Sequence, residues 1–456
     1  MTTTARKIFS GFVTVAAAAL VLFPIVVILL ERDPNVDPWQ RLTIGAGYLG
    51  MTFLCAQLVF SARSPVLDRL FGCDRMVAVH RVNGFVVLSV VFFHGLLALV
   101  RPEGSPARIV LQSPAFAILT SGVTAGAAFG FAALVGIVRD KLKTRYEVWR
   151  NLHRVAYYAL PLALLHATVS TFDKAENSML FAHSVATAVL AFSVIIGRAR
   201  RYLTALHKPT RITEVVTRAS DVTSIRLSRP DGFTFAPGQF CEISTSSESS
   251  HPFSISSGTG ETYLELTAKT VGDFTTSFSR FAANDAVVVV GPYGRVTPAR
   301  VVTRSHVGLI AGGIGITPFI SMVSSDEFWD RPGLERVTLV WSVRAETSRA
   351  FIGEIEEATR SRLLTVLIVV TNGGQVPVND REEPPDAEHA NFSTSLPFTT
   401  GKRISELPAD QLGFDKGSHD STYVLCGPDG FMRSCRRMLT AAGVPASHIF
   451  DERFRF

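Results

Sequence analysis

The sequence has little cysteine and little charge, and both deficits restrict the kinds of protein that it can encode. Five of its 456 residues are cysteine, with no CxxC pair and no CxxCH motif. This argues against a disulfide scaffold, a zinc ribbon and covalently attached c-type haem. Charged residues make up 18% and hydrophobic residues 47%, which is unlike a disordered chain. The sequence lacks nucleic-acid-binding motifs, so the net charge of +6 is better explained by orientation in a membrane.

The long apolar runs are confined to residues 1–200, whereas the rest of the chain has the pattern of a soluble protein. Six runs are long enough to cross a lipid bilayer, which takes about 20 apolar residues. They lie at 8–30, 42–62, 76–100, 115–138, 148–172 and 177–197. The first run follows Arg6 and Lys7, as in a signal peptide, but it is too long and lacks a small-residue cleavage site. We interpret it as a retained span.

The charges between these runs predict the orientation of the bundle. Arginine and lysine accumulate at alternate connections, and the richer side is expected to face the cytoplasm. That side carries Arg6, Lys7, Arg63, Arg69, Arg75, Arg139, Lys141, Lys143, Arg145, Arg198, Arg200 and Arg201. The sequence therefore predicts an integral plasma-membrane protein with both termini, and the soluble part, in the cytoplasm.

Four histidines form two pairs within the third and fifth runs. His80 and His94 are fourteen residues apart in the third run, and His153 and His166 are thirteen apart in the fifth. An imidazole within a membrane is costly and indicates a functional site. A single histidine such as His183, in the sixth run, is more simply explained by a hydrogen bond to a neighbouring helix.

The histidine separations favour two haems. Each pair extends about 20 Å along its helix, so His80 with His153 lies near the cytoplasmic face and His94 with His166 near the outer face. Two facing imidazoles can hold one haem iron in a helix bundle. On an ideal helix, however, thirteen residues place His166 about 140° from the phase of His153. Pro161 lies between them and predicts a kink, or a local π or 3₁₀ segment.

Residues 208–304 contain short strand-like runs separated by turns, which predict a small antiparallel barrel. Within it, HPFSISS spans 251–257 after a PGQF turn, and TVGDFT spans 270–275. Hydroxyls and backbone amides in such loops suit a flavin and its pyrophosphate. The alternative is that HPFSISS is an ordinary barrel strand.

From about residue 305, strands and helices alternate as in a doubly wound α/β domain. The run AGGIGITP at 311–318 lets the backbone approach a phosphate at a helix N-terminus, and CGPDG at 426–430 ends a strand where such sheets bind ligands. Arg344 follows the strand VTLVWSV and is either placed to meet a 2′-phosphate, which favours NADPH over NADH, or solvated. Residues 373–420 are rich in proline, acids, glycine and serine and are interpreted as an insertion with little core.

Together these motifs resemble a known superfamily. HPFSISS, VGDFT, GPYG, GGIGITPF, CGP and a terminal aromatic occur in the order found in the ferredoxin–NADP reductase-like half of NADPH oxidases and ferric reductases. The histidine separations match the same superfamily's transmembrane domain. The resemblance implies an α-helical six-span transmembrane bis-haem bundle over 1–204, followed by a ferredoxin–NADP reductase-like module. That module comprises an antiparallel β-barrel FAD domain over 205–304 and an NADPH-binding α/β domain over 305–456, with the insertion at about 373–420.

The resemblance also implies roles for individual residues. The haem ligands are His80, His94, His153 and His166. The isoalloxazine and ribityl part of FAD is contacted by His251, Pro252, Phe253 and Ser254, and its pyrophosphate is flanked by Gly272, Phe274 and Thr275. The nicotinamide nucleotide is cradled by Gly312, Gly313, Gly315 and Thr317, with Cys426, Gly427 and Pro428 near the nicotinamide. Phe456 covers the flavin and moves for hydride transfer, or is a frayed terminus, while Phe454 belongs to the core.

The activity implied by the resemblance is electron transfer from cytosolic NADPH through FAD and two b-type haems to an acceptor on the outer side. The oxidase-like motifs favour O2 as acceptor, giving superoxide. Ala98 favours a ferric- or cupric-chelate reductase, because oxidases commonly carry another histidine at that position. A quinone or a periplasmic protein as acceptor is a further alternative, and so is a haem-binding scaffold or sensor with a degenerate reductase domain. The sequence leaves open whether a cytosolic partner is needed.

Overall fold

The structure, a computed structural model, describes residues 3–30, 38–100, 115–142, 146–172, 178–245, 250–344, 350–371, 398–400, 404 and 420–452. The chain divides into two compact units, Met1–Arg201 and Tyr202–Phe456.

The first unit is built from helices. In chain order they are α1 (Thr3–Leu30), α2 (Pro38–Ser61), α3 (Pro65–Phe71), α4 (Cys73–Leu99), α5 (Ala115–Leu142), α6 (Tyr146–His153), a 3₁₀ helix (Arg154–Tyr158), α7 (Ala159–Phe172) and α8 (Ser178–His207). Among the described residues, five stretches are long and apolar enough to cross a membrane: Phe9–Leu30, Pro38–Ser61, Arg75–Leu99, Thr120–Val138 and Met179–His207. The chain is therefore an integral membrane protein.

The stretch predicted as the fifth span differs from the other five. It is divided into α6, the 3₁₀ helix Arg154–Tyr158 and α7. Each piece alone is shorter than the roughly 20 residues that cross a bilayer, so the described residues give five candidate spans and the sixth stays a prediction. The predicted 3₁₀ adjustment is confirmed, and Pro161 lies just after it in the first turn of α7, where a missing N–H breaks no helical hydrogen bond.

Apolar side chains lie both inside and outside this unit. Between the helices, small residues such as Ala159, Ala188 and Ala191 are almost fully buried beside leucine and phenylalanine, which lets helices approach closely. On the outside, Leu29 is 70% exposed and Phe92 is 72% exposed. An apolar outer surface of this kind suits lipid rather than water.

The second unit contains two sheets, which we call the barrel lobe and the parallel-sheet lobe. The barrel lobe consists of β1 (Thr210–Ala219), β2 (Val222–Ser228), β3 (Phe240–Ser244), β4 (His251–Ser254), β5 (Tyr263–Lys269) and β6 (Ala286–Tyr293). The order is β4-β3-β6-β1-β2-β5 with antiparallel neighbours. A bridge between Ile255 and Leu266 links the two edges. The short helix α9 (Asp273–Ser277) and a 3₁₀ turn (Phe278–Arg280) follow β5.

The parallel-sheet lobe has the doubly wound pattern that the sequence predicts. Its strands are β7 (His306–Gly312), β8 (Arg336–Val343), β9 (Leu364–Val370), β10 (Phe398–Thr400), β11 (Ser421–Cys426) and β12 (Ile449–Glu452). They are all parallel in the order β10-β9-β8-β7-β11-β12. The helices are α10 (Pro298–Val301), α11 (Thr317–Val323), α12 (Asp326–Trp329), α13 (Ile352–Ser361) and α14 (Asp429–Ala441).

The strand order reverses between β7 and β11, since β8 and β9 follow on one side and β12 on the other. Doubly wound sheets bind ligands beyond the carboxyl ends of the strands at such a point. The glycine run and the CGP run both leave strands there. Most of the insertion predicted at 373–420 lies outside the described residues.

Candidate functional site

The first unit brings the four histidines together as two pairs. The ring centroids of His80 and His153 are 6.1 Å apart, with an angle of 75° between the ring planes. Those of His94 and His166 are 6.0 Å apart, with an angle of 79°. Each pair joins α4 to the α6–α7 segment. The partners are those expected from the depth of each histidine in the bilayer.

The 3₁₀ helix Arg154–Tyr158 explains how His153 and His166, thirteen residues apart, can face His80 and His94, which are fourteen residues apart. Each 3₁₀ residue advances about 120° and about 2.0 Å, against about 100° and about 1.5 Å in an α-helix. Five such residues add roughly 100° and 2.5 Å, which brings His166 to within about 40° of His153 in phase and about 22 Å away. On α4, His80 and His94 also differ by about 40°, over about 21 Å. The two separations thus become equivalent.

The distances between the rings fit an iron held by two imidazoles. A metal–imidazole nitrogen bond is about 2 Å, so two opposite ligands place their ring centres roughly 6 Å apart. Both observed separations have this value. Within the described part of the chain, no group of three or more His, Cys, Asp or Glu could hold a metal ion. The donor set therefore fits two bis-histidine haems, and ligation itself stays a prediction.

Main-chain carbonyls orient the imidazoles. Three histidines donate from Nδ1 to an oxygen on another helix: His94 to Thr43 at 2.9 Å, His153 to Ala132 at 2.8 Å and His80 to Gln57 at 3.2 Å. Because a carbonyl oxygen can only accept, Nδ1 carries the proton and Nε2 keeps its lone pair. This is the tautomer that a metal ligand needs, and such bonds fix the orientation of the ring.

The facing histidines His80 and His153 also have polar side chains beside them. Asn83 Nδ2 donates to Gln57 Oε1 at 2.7 Å, and Gln57 Nε2 lies 3.3 Å from His80 Nε2. Both side chains are buried. An iron on Nε2 of His80 therefore requires the Gln57 amide to turn aside. Neither residue is predicted from the sequence, although an amide within an apolar run was a usable signal.

Glycines provide the space that the histidines occupy. A Cβ at Gly47 would lie 3.0 Å from His94, one at Gly122 would lie 2.7 Å from His166, and one at Gly136 would lie 3.6 Å from His153. Gly122 and Gly136 are fourteen residues apart on α5. Sequence analysis missed these glycines, and that shared period was the signal that could have found them.

His183 has the role expected of a single membrane histidine. Its Nε2 lies 3.1 Å from Thr52 Oγ1 of α2, and its ring stacks on Phe23 of α1 with centroids 4.9 Å apart. The predicted hydrogen bond to a neighbouring helix is confirmed. His183 is therefore a natural control for the paired histidines.

The residues expected to contact flavin meet in the barrel lobe. His251 and Phe253 of β4 stack on Phe274 of α9, with centroids 4.3 and 5.7 Å apart. Pro252 and Ser254 belong to the same strand. Thr275 Oγ1 accepts from the backbone N–H groups of Val271 and Gly272, each at 2.9 Å, so Thr275 shapes the turn at Gly272. Contact of these residues with FAD stays a prediction.

The glycine run and the CGP run meet in the parallel-sheet lobe. A Cβ at Gly315 would lie 2.5 Å from the carbonyl oxygen of Cys426, and one at Gly312 would lie 2.7 Å from Phe431. Gly313 has a φ of +56° and Gly427 of +153°, conformations that favour glycine. The run forms a 3₁₀ turn over Gly313–Ile316 before α11, so an α-helix does not begin directly at the glycines. Thr317 Oγ1 donates back to the Ile314 carbonyl at 3.1 Å.

The remaining predicted residues are placed as follows. Cys426 is fully buried, and burial, with the charge of Glu452 second, raises the pKa of its thiol, so the thiol is neutral at physiological pH. Pro428 directly precedes α14. Arg344 is exposed just after β8, at the edge where the glycine run leaves β7. Phe456, and Phe454 with it, lie outside the described residues.

Two family models match the chain. A ferric reductase like transmembrane component matches residues 46–164, a range that contains three of the four paired histidines. An FAD-binding domain matches residues 207–297, a range that contains β4 and the turn at Gly272. The family models thus match both the helical unit and the barrel lobe.

Curated relatives include NADPH oxidase 3 of Rattus norvegicus, 31% identical over 269 residues, which are 51% of this chain and 45% of the relative. Respiratory burst oxidase homolog protein D of Solanum tuberosum is 29% identical over 195 residues, 36% of this chain and 22% of the relative. The aligned part of the chain spans less than half the length of these relatives. Among solved structures, a ferredoxin NADP+ reductase from Neisseria gonorrhoeae is 18% identical, and the match covers 53% of this chain and 96% of that chain with a TM-score of 0.43.

Proposed function

Because the chain belongs to the superfamily of NADPH oxidases and ferric reductases, we propose that it is a transmembrane oxidoreductase of the plasma membrane. Electrons pass from cytosolic NADPH through FAD and two b-type haems to an acceptor on the outer side. The observation that carries the proposal is the pair of matched histidine separations, with ring centroids 6.1 and 6.0 Å apart. When bound, FAD takes up a hydride and releases single electrons, which haem iron can carry.

The protein's own side chains and backbone would position the cofactors. His80 with His153 and His94 with His166 would hold the two haems, at levels about 21 Å apart along the helices. The Nδ1 hydrogen bonds of His80, His94 and His153 fix the orientation of those rings. In the barrel lobe, the aromatic stack of His251 and Phe274 offers a flat apolar surface to a flavin ring. In the parallel-sheet lobe, the close packing of the glycine run on the CGP run brings backbone to the nucleotide.

For the acceptor we propose O2, which is reduced to superoxide. The names of the relatives, NADPH oxidase and respiratory burst oxidase, and the oxidase-like motifs support this choice. A second candidate, a ferric- or cupric-chelate reductase, is favoured by Ala98, which is exposed one turn after His94 and offers no hydrogen bond to oxygen. Because both His94 and His166 would be needed to hold the outer haem, either acceptor would receive its electron at the edge of that site.

Oxygen and chelate reduction can be separated with the purified full chain in detergent, supplied with FAD, haem and NADPH. We expect NADPH consumption in air with superoxide formed in proportion. Slow consumption in air with fast anaerobic reduction of a ferric chelate would make the protein a metal reductase. Reduction of both haems without turnover on either acceptor would point to another acceptor, and the absence of any haem reduction by NADPH would refute the proposal itself.

The preference for NADPH over NADH tests whether Arg344 contacts the 2′-phosphate. If its guanidinium meets the 2′-phosphate, Arg344→Ala raises the KM for NADPH about 10-fold, the effect of losing one charge-assisted hydrogen bond, and leaves the KM for NADH unchanged. Steady-state rates with both nucleotides measure this. An unchanged KM for NADPH would show that Arg344 is a solvated side chain.

A further inference from the structure

The second half of the HPFSISS run turns toward the parallel-sheet lobe. The Ser257 carbonyl accepts a hydrogen bond from Ser321 Oγ at 2.8 Å, and both serines are buried. Ser321 lies in α11, one turn after Thr317, and α11 begins after the 3₁₀ turn that contains Gly313 and Gly315. One hydrogen bond therefore connects the end of the HPFSISS run to the helix that follows the glycine run.

The next residue, Gly258, lies against the backbone of the parallel-sheet lobe. A Cβ at Gly258 would lie 2.4 Å from the carbonyl oxygen of Ser324 and 3.2 Å from its carbonyl carbon. These are backbone atoms at the end of α11, so they cannot move aside as a flexible side chain can. Thr259 N also donates to Ser325 Oγ at 3.0 Å. Glycine is thus needed at 258 for space.

A charged connection runs parallel to these contacts. Arg218 of β1 donates to both carboxylate oxygens of the buried Glu265, at 2.8 and 2.9 Å. Arg218 also pairs with Glu354 of α13. Ser256 Oγ donates to Glu265 Oε1 at 3.2 Å. The same run is therefore connected to the parallel-sheet lobe through a second path.

We propose that Ser256, Ser257 and Gly258 form an interlobe seam that fixes the distance between strand β4 and the glycine run. This inference rests on the proposed function, in which β4 contacts flavin and the glycine run contacts NADPH. In that reaction NADPH transfers a hydride, which is two electrons with one proton, to the flavin. NADPH is thereby oxidised to NADP⁺ and the flavin is reduced. Hydride transfer needs reacting atoms about 3–3.5 Å apart, and a displacement of about 1 Å can slow it about 100-fold. The seam residues are positioning residues, since they follow the predicted FAD contacts 251–254, lie against α11 and are not themselves predicted to contact FAD or NADPH.

Two glycines two residues apart provide the test. Gly258→Ala places a methyl group against the Ser324 carbonyl, whereas the matched control Gly260→Ala meets no described atom within 4 Å. Neither Gly258 nor Gly260 is among the glycines with positive φ in the described part of the chain. The two variants therefore differ in the room available to the added methyl group and not in backbone strain. The full chain, loaded with FAD, is mixed with NADPH or 4-deuterated NADPH without oxygen, and flavin reduction is followed in a stopped-flow instrument.

We expect Gly258→Ala to keep its flavin and to reduce it about 10- to 100-fold more slowly. The deuterium isotope effect should rise and the dissociation constant for NADPH should stay within about 2-fold, because distance and not binding is changed. Gly260→Ala should match the wild type. A Gly258→Ala protein with the wild-type rate and isotope effect would overturn the proposal. A wild-type protein that does not reduce its flavin with NADPH would instead refute the proposed function.

A second set of variants decides the question if Gly258→Ala fails to fold. The double variant Ser321→Ala, Glu354→Gln removes one hydroxyl and one charge from the parallel-sheet side of the seam and leaves Arg218 paired with Glu265. Its control is Glu356→Gln on the same helix, where Glu356 pairs with Arg360 one turn away at 3.4 Å. We expect flavin reduction to slow at least about 5-fold in the double variant and to be unchanged in the control. Equal rates in the two proteins would exclude the seam as a positioning element.

Discussion

Replacing His94 by leucine is expected to lower the haem content from two to about one per chain and to abolish NADPH-driven turnover, while FAD stays bound. His94 faces His166 across 6.0 Å, and its Nδ1 is fixed by the Thr43 carbonyl. Leucine offers no donor to iron, so one of the two histidines that would hold this haem is lost. Loss of an outer-shell partner alone lowers metal affinity or activity by about 10- to 100-fold, so loss of the ligand should exceed about 100-fold.

The matched control for this variant is His183→Leu. His183 is also a buried membrane histidine, but it bonds to Thr52 and stacks on Phe23. Its loss removes an interhelical hydrogen bond of about 1 kcal/mol and should leave two haems in place. Haem per chain, the reduced spectrum and flavin content are measured on both proteins. Unchanged turnover in His94→Leu with normal haem content would exclude an electron path through this pair and favour a haem-binding scaffold.

The paired histidines show how far a helical pattern carries a prediction. Spacing and depth were sufficient to pair His80 with His153 and His94 with His166, because both follow from the rise per residue. The phase conflict at His166 and the presence of Pro161 were sufficient to predict a distortion. The exact bounds of the 3₁₀ helix, Arg154–Tyr158, could not be read from the sequence, since short 3₁₀ segments are selected by packing against neighbouring helices.

The surroundings of those histidines were harder to predict. Gln57 and Asn83 lie on different helices, and their contact with each other depends on how α2 packs against α4. Helix packing depends on side chains that are distant in sequence, which a periodic pattern in one helix does not reveal. The sixth span stays a prediction for a related reason, because the apolar run 148–172 is long enough to cross a bilayer although its helix is interrupted.

The predicted flavin strand HPFSISS could be recognised from the sequence, but the contact that follows it could not. Its position after a PGQF turn and before VGDFT indicated a flavin strand, and the structure places His251 against Phe274. The approach of Gly258 to Ser324 joins residues far apart in the chain. Such a contact is determined by how the two lobes pack, so local composition gave no signal for it.

Replacing Gly315 of the glycine run by alanine is expected to damage the nucleotide site. A Cβ there would lie 2.5 Å from the Cys426 carbonyl oxygen, 2.6 Å from its carbon and 2.8 Å from the Gly427 Cα. All three are backbone atoms at the end of β11, where Cys426 pairs with Ala311 of β7. The alanine can be accommodated only if the glycine run moves away from the CGP run, which separates the two halves of the nucleotide site.

We therefore expect Gly315→Ala to lower the affinity for NADPH at least about 10-fold and to slow flavin reduction by NADPH more than about 100-fold. FAD and haem contents should be normal, and dithionite should still reduce both haems, because the residues assigned to these cofactors lie elsewhere. The control, Gly430→Ala in the first turn of α14, meets no described atom within 4 Å and should stabilise the helix by up to about 1 kcal/mol. Titration with NADPH and a thermal melt separate a damaged site from a damaged fold. Wild-type affinity in Gly315→Ala would mean that the nucleotide binds away from this run, since a site that depends on the packing of the two runs cannot tolerate a methyl group between them.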